Sequence, residues 1–415
     1  PIMKKFIENI SIYQILLLSL MVRLIFSYFF SDNTVVNEWG VMLHNHQLTG
    51  VFGYNVVIND FYALPKLAEI SEKVLPSVFM PPLYLYFIYF LTFFETNLFT
   101  LASMIITSQI LLSLISIYIF YNILNLFSKN RSLIIILLLF FSFFPLNIYA
   151  VSQISSVTLQ IFLFLCFFLS LLKLQETYSL KKLIYFSIFS GFLILIRGEF
   201  ILFYIFSIIY FFVFTKPNFK VATLSIIVTS LVITPYLFRN HQYFDKIIVT
   251  KSFGYNLLKG NNPSLIVEGS PEFISKNFSR ENMQIKTDNN YEIKLDNFYK
   301  HEALKYIKND PKKYIKFYFE KVFSFIFFDK NSTYPNYYNF FHIGPKILLS
   351  VVSLIGALVA LFKKGIFQYL ALYYFLNIFL FSIFFILPRY SLILMPIQLL
   401  LSLETIKYLR GKLIN

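Results

Sequence analysis

The chain has little charge and almost no cysteine. Charged residues make up 14% of its 415 residues, whereas hydrophobic residues make up 57% and phenylalanine alone occurs 53 times. A water-soluble domain of this composition would lack the polar side chains needed to cover its surface, so a soluble globular fold is excluded. The single cysteine, Cys166, excludes a disulfide framework and a thiolate metal site within the chain. The composition therefore predicts a polytopic membrane protein.

The chain does contain a basic excess, with a net charge of +15. Its Lys and Arg residues lie mostly in short segments between long apolar runs, as they do in the cytoplasmic loops of membrane proteins. The excess therefore predicts contact with membrane lipids, and no nucleic-acid partner is expected.

The apolar runs predict an all-α fold with about ten transmembrane helices. A membrane-spanning helix needs about 20 consecutive, mainly apolar residues. Residues 183–214 are too long for one span and are interrupted by Arg197-Gly198-Glu199, so we divide them into two helices. The other predicted spans are 11–30, 99–124, 133–150, 152–172, 221–238, 346–362, 366–387 and 390–406.

The distribution of charge predicts the orientation. The run 81–94 is short for a span and suits an interfacial helix. If this run does not cross, the basic segments fall on one side, which the positive-inside rule assigns to the cytoplasm together with both termini. The predicted parts are then an N-terminal transmembrane module, 1–238, with a first outer loop, 31–80; a large extracytoplasmic loop after the seventh span, 239–345; and C-terminal transmembrane helices, 346–415.

Helices are also predicted inside the two polar segments. In the large loop, residues 297–309 and 312–328 have helical patterns separated by Pro311, and the second is aromatic enough to lie on the membrane. In the first loop, the apolar spacing after Glu38 predicts a helix within 38–54. A carboxylate at its start could act as a general base, or it could simply interact with the helix dipole.

Several charged residues fall at one level, the predicted outer ends of the spans. Ionisable residues at membrane depth usually face a cavity or a partner, and guanidinium groups bind phosphate bidentately. Together they favour a site for an anionic substrate, although each arginine could also be an interface anchor that reaches water. The residues are Asp32, Glu38, Arg197, Glu199, Arg239 and Arg389.

Six segments in order resemble the GT-C superfamily of polyprenyl-phosphate-sugar-dependent glycosyltransferases, the group that contains protein O-mannosyltransferases and lipid A aminoarabinose transferases. Each segment alone is ordinary, and the resemblance lies in their order and spacing over most of the chain. The segments are Glu38-Trp39 to Gly53-Tyr54; Met80-Pro81-Pro82-Leu83-Tyr84; Leu195-Ile196-Arg197; Thr234-Pro235-Tyr236 with Arg239-Asn240, Gly254, Asn256 and Gly260-Asn261-Asn262-Pro263; Ala303, Tyr306, Ile307, Pro311, Tyr314 and Lys321; and Arg389-Tyr390 with Pro396.

The resemblance implies a GT-C-like fold and a polyprenyl-phosphate-linked sugar donor. It implies that Glu38 is the catalytic base, with Asp32 as its rival, and that the reaction inverts the sugar. Further site residues implied by it are Arg197, Arg239 and Arg389 for the donor phosphate, and Asn240, Asn261, Asn262, Tyr84, Tyr390 and Lys321 for the shape of the loops and the substrate site.

The same resemblance bears on cofactors, partners and location. No obligatory cofactor or metal is expected, although a divalent cation is possible. The acceptor could be a lipid, a glycan or a protein, at the outer face of a bacterial-type inner membrane. The chain departs from the family at the start of the fourth span, where Gln153, Ser155 and Ser156 replace a frequent acidic residue.

Other functions stay open at this stage. A polymerase or ligase of lipid-linked oligosaccharides would also use outer arginines and a large outer loop, but it would not need the early carboxylate Glu38. A flippase or transporter would be expected to show internal repeats, and we find none in the sequence. A membrane scaffold is compatible with the composition but does not account for the ordered motifs.

Overall fold

The computed structural model describes most of the chain, namely residues 7–35, 38–55, 74–215, 217–278, 285–286, 288–332 and 340–414. These residues are almost entirely helical, with one pair of short antiparallel strands, β1 Gly53–Asn55 and β2 Val74–Pro76. The predicted all-α class is therefore confirmed.

The first part of the chain forms ten helices within the described residues. They are α1 Ile12–Phe30, α2 Glu38–Thr49, α3 Pro82–Thr92, α4 Leu98–Phe127, α5 Arg131–Phe143, α6 Pro145–Ser152, α7 Val157–Glu176, α8 Leu180–Ile196, α9 Phe200–Ile208, which continues as a π-helix Ile209–Thr215, and α10 Phe219–Phe244.

The large polar segment and the C-terminal part follow. Their helices are α11 Phe253–Gly260, α12 Pro271–Asn277, α13 Tyr291–Asn309, α14 Pro311–Ile326, α15 Phe340–Leu361, α16 Ile366–Phe381, a 3-10 helix Pro388–Leu394 and α17 Met395–Ile414.

Each of the ten predicted spans corresponds to a helix or a helix pair. Among the described residues, six helical segments are long and apolar enough to cross a membrane, or seven if the bent pair α5 and α6 is one span. Helices α8, α9 and α16 are shorter. The chain is thus a multi-pass membrane protein, while the count of ten spans and the three-part division stay predictions. Lys4 and Lys5, used for the orientation, lie outside the described residues.

Helix α1 has one face for lipid and one for the protein core. Leu17, Leu24 and Tyr28 are exposed on it, whereas Arg23 is fully buried. The Arg23 guanidinium donates hydrogen bonds to Ser113 Oγ at 2.9 Å and to the carbonyl oxygen of Ser142 at 3.1 Å. An ionisable group at membrane depth faces the bundle interior, and here it joins α1 to α4 and α5.

The chain breaks between α6 and α7, inside the predicted span 152–172. Residues 153–156 are not helical, and α7 begins only at Val157. Irregular backbone is tolerated at membrane depth where other protein groups satisfy it. The buried Gln109 side chain on α4 does so, because its Nε2 donates to the carbonyl oxygens of Val151 at 2.9 Å and Gln153 at 2.8 Å. The break leaves the start of α7 facing a cavity, as described below.

The helices predicted in the polar segments are present. Helix α2, Glu38–Thr49, lies within the predicted range 38–54, and Trp39, Met42 and Leu43 on it are buried. In the large loop, α13 and α14 meet at Pro311, which is the first residue of α14, although α13 begins six residues earlier than predicted. The part of the first-loop prediction that falls on 56–73 lies outside the described residues.

The large-loop helices pack as a small core of their own. Tyr255 and Leu258 on α11 lie against Leu295 and Tyr299 on α13. A Cβ atom at Gly254 would lie 1.8 Å from the backbone oxygen of Asp296, so these two helices can approach this closely only with glycine at that position. This packing places the end of α11 beside the turn that follows α16.

Candidate active site

Two neighbouring cavities open where the ends of several helices meet. The larger, of about 260 Å³, is lined by Glu38, Arg197 and Arg389, and we call it the Glu38 cavity. The smaller, of about 190 Å³, is lined by Asp32 and Arg389, and we call it the Asp32 cavity. Residues of the turn 154–157 form a wall of both. Helix ends that the predicted topology assigns to the outer face therefore converge on one region.

Arg197 reaches the Glu38 cavity from the C-terminal end of α8. Its side chain is 24% exposed, and its Nε lies 3.2 Å from Glu199 Oε1, an ion pair without hydrogen-bond geometry. The guanidinium also lies over the rings of Tyr390, at 5.1 Å, and Phe381, at 5.7 Å. These contacts hold the cation in a defined position at the cavity wall.

Arg389 is the cation at the boundary between the cavities. It follows Pro388 at the start of the 3-10 helix, and its side chain is exposed. In the part of the chain that the structure describes, its guanidinium makes no hydrogen bond and no ion pair. Lys259 is close enough to respond to it: burial, and then the charge of Arg389, lower the pKa of Lys259 to about 8. Positive potential is thus concentrated here.

The N-terminal end of α7 adds to this potential. Ser155, Ser156, Val157 and Gln160 line the Glu38 cavity. The N-cap residue, Ser156, does not cap the helix with its side chain. The first N–H groups of a helix and the positive end of its dipole favour an anion. With two guanidinium groups beside it, this end of the cavity suits a phosphate.

Glu38 supplies the acidic side of the same cavity. It is in the first turn of α2, which packs closely against the chain that follows α1, since a Cβ atom at Gly40 would lie 1.9 Å from the backbone oxygen of Val35. Among the described residues the Glu38 carboxylate makes no hydrogen bond and no ion pair. The pKa of Tyr54 is raised well above its ordinary value, first by burial and then by the negative charges of Glu38 and Glu292. The carboxylate therefore faces the cavity as an available acceptor of a proton.

Asp32, the rival base, has a partner. Its Oδ2 accepts a hydrogen bond from the backbone N–H of Ile154 at 2.7 Å, and its own N–H donates to the carbonyl oxygen of Ser152. Gln153 Nε2 in turn donates to the carbonyl oxygen of Phe30. Asp32 thus joins the end of α1 to the turn between α6 and α7.

Arg239 does not reach either cavity. Its Nη1 donates to the carbonyl oxygen of Ser77 at 3.0 Å and to Asn240 Oδ1 at 2.8 Å, and its Nη2 donates to the carbonyl oxygen of Phe52 at 3.2 Å. It lines a separate, very small cavity of about 10 Å³. Phe52 and Ser77 flank the two strands, so Arg239 fastens the strand pair to α10.

Two of the residues predicted to shape the site make hydrogen bonds within the protein, beside the cavities. Tyr84 donates to Gln109 Oε1 at 2.9 Å and so supports the break before α7. Asn240 Nδ2 donates to the carbonyl oxygen of Ile248 at 2.7 Å and closes the turn after α10. The side chains of Tyr84 and Asn240 therefore have hydrogen-bond partners within the protein.

The other shaping residues surround the end of α11. Lys321 is fully buried, and its Nζ donates to the carbonyl oxygens of Gly260 and Phe384 and to Asn261 Oδ1. Asn261 Nδ2 donates to the carbonyl oxygen of Ile383. Asn262 Nδ2 donates to the carbonyl oxygens of Leu258 and Lys259 at the end of α11. These bonds connect α11 and α14 to the turn 382–387 that precedes Arg389. Tyr390, by contrast, lines the Glu38 cavity itself.

Some residues at the site were not singled out from the sequence. Gln160, Lys259 and Glu292 are polar residues on ordinary helical patterns. Only the tertiary structure distinguishes them, by the burial of Gln160 and by the shifted pKa values of Lys259 and Glu292. The departure from the family pattern at Ser155 and Ser156 was the available signal, since both line the Glu38 cavity. Within the described residues no group of three or more His, Cys, Asp or Glu side chains could hold a metal ion. The expectation about metal stays a prediction.

Sequence comparison with protein-family models and with curated proteins finds no match. Among solved structures, the chain is similar to the crystal structure of ArnT from Cupriavidus metallidurans bound to undecaprenyl phosphate. The two are 12% identical with a TM-score of 0.40, and the match covers 94% of this chain and 77% of that one. A likeness at this level does not transfer an activity to this chain.

Proposed function

We propose that this chain is a membrane glycosyltransferase that moves a monosaccharide from a polyprenyl-phosphate donor to an acceptor at the outer face of a bacterial-type inner membrane. One observation carries the proposal: Glu38, Arg197 and Arg389, which come from distant parts of the sequence, line one cavity. A base and an anion site in a single pocket are what sugar transfer from a phosphate requires.

In this proposal the cationic end of the Glu38 cavity binds the donor phosphate. As the bond from the sugar to phosphate breaks, the leaving phosphate gains negative charge. Arg197, which is held over Tyr390 and Phe381, and the start of α7 would stabilise that charge as fixed groups, and the exposed Arg389 guanidinium would supply a second cation. Arg239, assigned to the phosphate from the sequence, would act instead by holding the first-loop strands, because its donors are engaged there.

Glu38 is the proposed general base. It would take the proton of the acceptor hydroxyl, whose oxygen attacks the anomeric carbon from the side opposite the phosphate, so the product is inverted. General-base assistance is typically worth about 10² to 10⁴ in rate. Asp32 is proposed as a positioning residue, because its carboxylate holds the turn 154–157 that forms the wall of the cavity.

The size of the Glu38 cavity supports a monosaccharide over an oligosaccharide. Its volume of about 260 Å³ lies just below the range for small-molecule sites, which is about 300 to 1,000 Å³. An oligosaccharide polymerase or ligase would need room for several sugar rings. The acceptor, whether lipid, glycan or protein, would approach from the Glu38 side.

A transfer assay tests the proposal. Membranes that contain the chain are incubated with undecaprenyl-phosphate hexoses labelled in the sugar, and label in products other than the donor is measured. We expect transfer with the wild type and a loss of about a hundredfold or more with Arg389→Ala. Arg131→Ala is the matched control, because Arg131 donates to the backbone of Glu8 and Ile10, outside both cavities. Absence of transfer by the wild type, or equal transfer by both variants, would contradict the proposal.

A further inference from the structure

Gln160 is a largely buried residue whose side-chain amide lines the wall of the Glu38 cavity. It lies one turn into α7 and is only 7% exposed. Among the described residues its side-chain oxygen and nitrogen have no hydrogen-bond partner. Most buried polar side chains in proteins are hydrogen-bonded. The Gln160 amide atoms are not among the fully enclosed side-chain atoms without a partner, so they reach the space of the cavity, where a ligand can bond them.

The chemistry of the amide restricts that ligand. A carboxamide has two donor hydrogens and one acceptor oxygen and carries no charge, so it suits a neutral group that both donates and accepts, such as a sugar hydroxyl or acetamido group. The phosphate has cationic partners of its own at Arg197 and Arg389. The wall also includes Trp39 and Tyr390, two rings that supply flat apolar surface.

We infer that Gln160 is a specificity-determining residue, which hydrogen-bonds a hydroxyl or acetamido group of the sugar ring and so selects the sugar of the donor. This inference rests on the proposed function. It places the sugar between Gln160 and the Glu38 carboxylate, with the phosphate at the start of α7. Ser155 and Ser156 lie on the same wall and are available to the same ring.

The test separates recognition of the sugar from recognition of the lipid phosphate. Purified protein in nanodiscs is titrated with undecaprenyl phosphate alone and with undecaprenyl-phosphate glucose, galactose, mannose and N-acetylglucosamine. We expect the wild type to bind at least one sugar-bearing lipid more tightly than the bare lipid. Gln160→Leu should reduce this sugar-dependent gain by about tenfold, the value of one good hydrogen bond, and leave the Kd of the bare lipid within about twofold.

Matched variants complete the experiment. Gln398→Leu removes an amide of the same 7% exposure from α17, away from the cavity, and should keep both the gain and the order of preference among the sugars. Gln160→Asn keeps the amide but withdraws it by one methylene, and should alter the order of preference. Binding of the bare lipid serves in each case as the measure of correct folding.

The outcomes distinguish this inference from the function on which it rests. If the wild type gains nothing from any sugar, both fail. If it prefers a sugar and Gln160→Leu keeps the full gain and the same order, only the role of Gln160 is overturned. A loss of sugar preference with unchanged bare-lipid affinity supports the inference.

Discussion

The Asp32 carboxylate is bonded to the backbone N–H of Ile154 at 2.7 Å, across 122 positions in sequence. Ile154 belongs to the turn that forms a wall of both cavities. The N–H of Asp32 also donates a hydrogen bond to the carbonyl oxygen of Ser152, just before this turn. The end of α1 and the start of α7 therefore form one unit. This relationship separates the two acidic residues: the Asp32 carboxylate, at the edge of the Asp32 cavity, holds the wall by a hydrogen bond, whereas Glu38 lines the Glu38 cavity without such a bond to the described residues.

The first prediction concerns the base. Glu38→Gln should lower kcat for sugar transfer by about 10² to 10⁴ and leave the Kd of undecaprenyl phosphate nearly unchanged, because only proton transfer is removed. Asp32→Asn should cost much less, since the amide oxygen still accepts the bond from Ile154. Both are measured as initial rates of label transfer. Glu95→Gln, in a loop outside both cavities, is the control. Full activity of Glu38→Gln together with an inactive Asp32→Asn would reverse the assignment.

The second prediction contrasts two arginines. Arg389→Ala should weaken binding of undecaprenyl phosphate without a change in thermal stability, because Arg389 has no partner among the described residues to lose. Arg239→Ala should lower the thermal stability and leave the binding of undecaprenyl phosphate unchanged. It removes hydrogen bonds to the backbone at Phe52 and Ser77, and charged hydrogen bonds are worth about 1.5 to 3 kcal/mol each. Apparent Tm in detergent and lipid Kd are measured for both. A stable Arg239→Ala with weakened lipid binding would return Arg239 to the phosphate site.

The third prediction concerns the buried lysine of the large loop. Lys321→Met keeps the volume but leaves the acceptors at Gly260, Asn261 and Phe384 without their donor. We expect a loss of stability of about 1 to 3 kcal/mol for each acceptor left unsatisfied. Burial also lowers the pKa of Lys321 to about 7, from an ordinary value near 10.5.

The same pKa gives the pH dependence of that loss. Between about pH 7 and 10.5 the unfolded chain binds a proton that the native chain does not, so the contribution of Lys321 to stability increases as pH rises. The difference in apparent Tm between the wild type and Lys321→Met should therefore widen from pH 7 to pH 10. Lys305→Met, on the exposed side of α13, is the control. A difference that shrinks with pH would contradict the assignment.

The fourth prediction concerns Glu292, which attaches α13 to the first loop. Its Oε2 accepts a hydrogen bond from the N–H of Val78 at 2.8 Å. Burial raises its pKa to about 7, against the opposing effects of this bond, of Ser77 and of the charge of Arg239. The native state therefore holds a proton that the unfolded state loses near pH 4.5, and the stability due to Glu292 falls as pH rises from about 4.5 through 7.

A variant without this titration isolates the effect. Glu292→Gln keeps the acceptor oxygen, so its apparent Tm should equal that of the wild type near pH 5 and exceed it progressively towards pH 8. Glu302→Gln, which removes a carboxylate from the same helix, should show no such trend relative to the wild type. If the wild type and Glu292→Gln respond identically to pH, burial of Glu292 does not control this attachment.

Much of the fold followed from the sequence because its signals are local. A run of about 20 apolar residues becomes a helix in lipid wherever it occurs, since no other arrangement satisfies its backbone there. Pro311 divides the helices of the large loop because it lacks the N–H that a helix interior needs. Helix α2 lies within the segment whose apolar spacing indicated a helix. The sequence alone therefore determined the membrane class, the position of the helices and the ends at which the charged residues lie.

Only the tertiary structure decided which of those ends meet. Arg197, Arg239 and Arg389 are alike in sequence, each near the end of a helix, yet two line the Glu38 cavity and the third binds the backbone of the first loop. Gln160 lies on an ordinary apolar helix, and its place in the wall of the Glu38 cavity becomes visible only once α7 is packed. These differences arise from contacts between residues far apart in the chain, which no local pattern encodes.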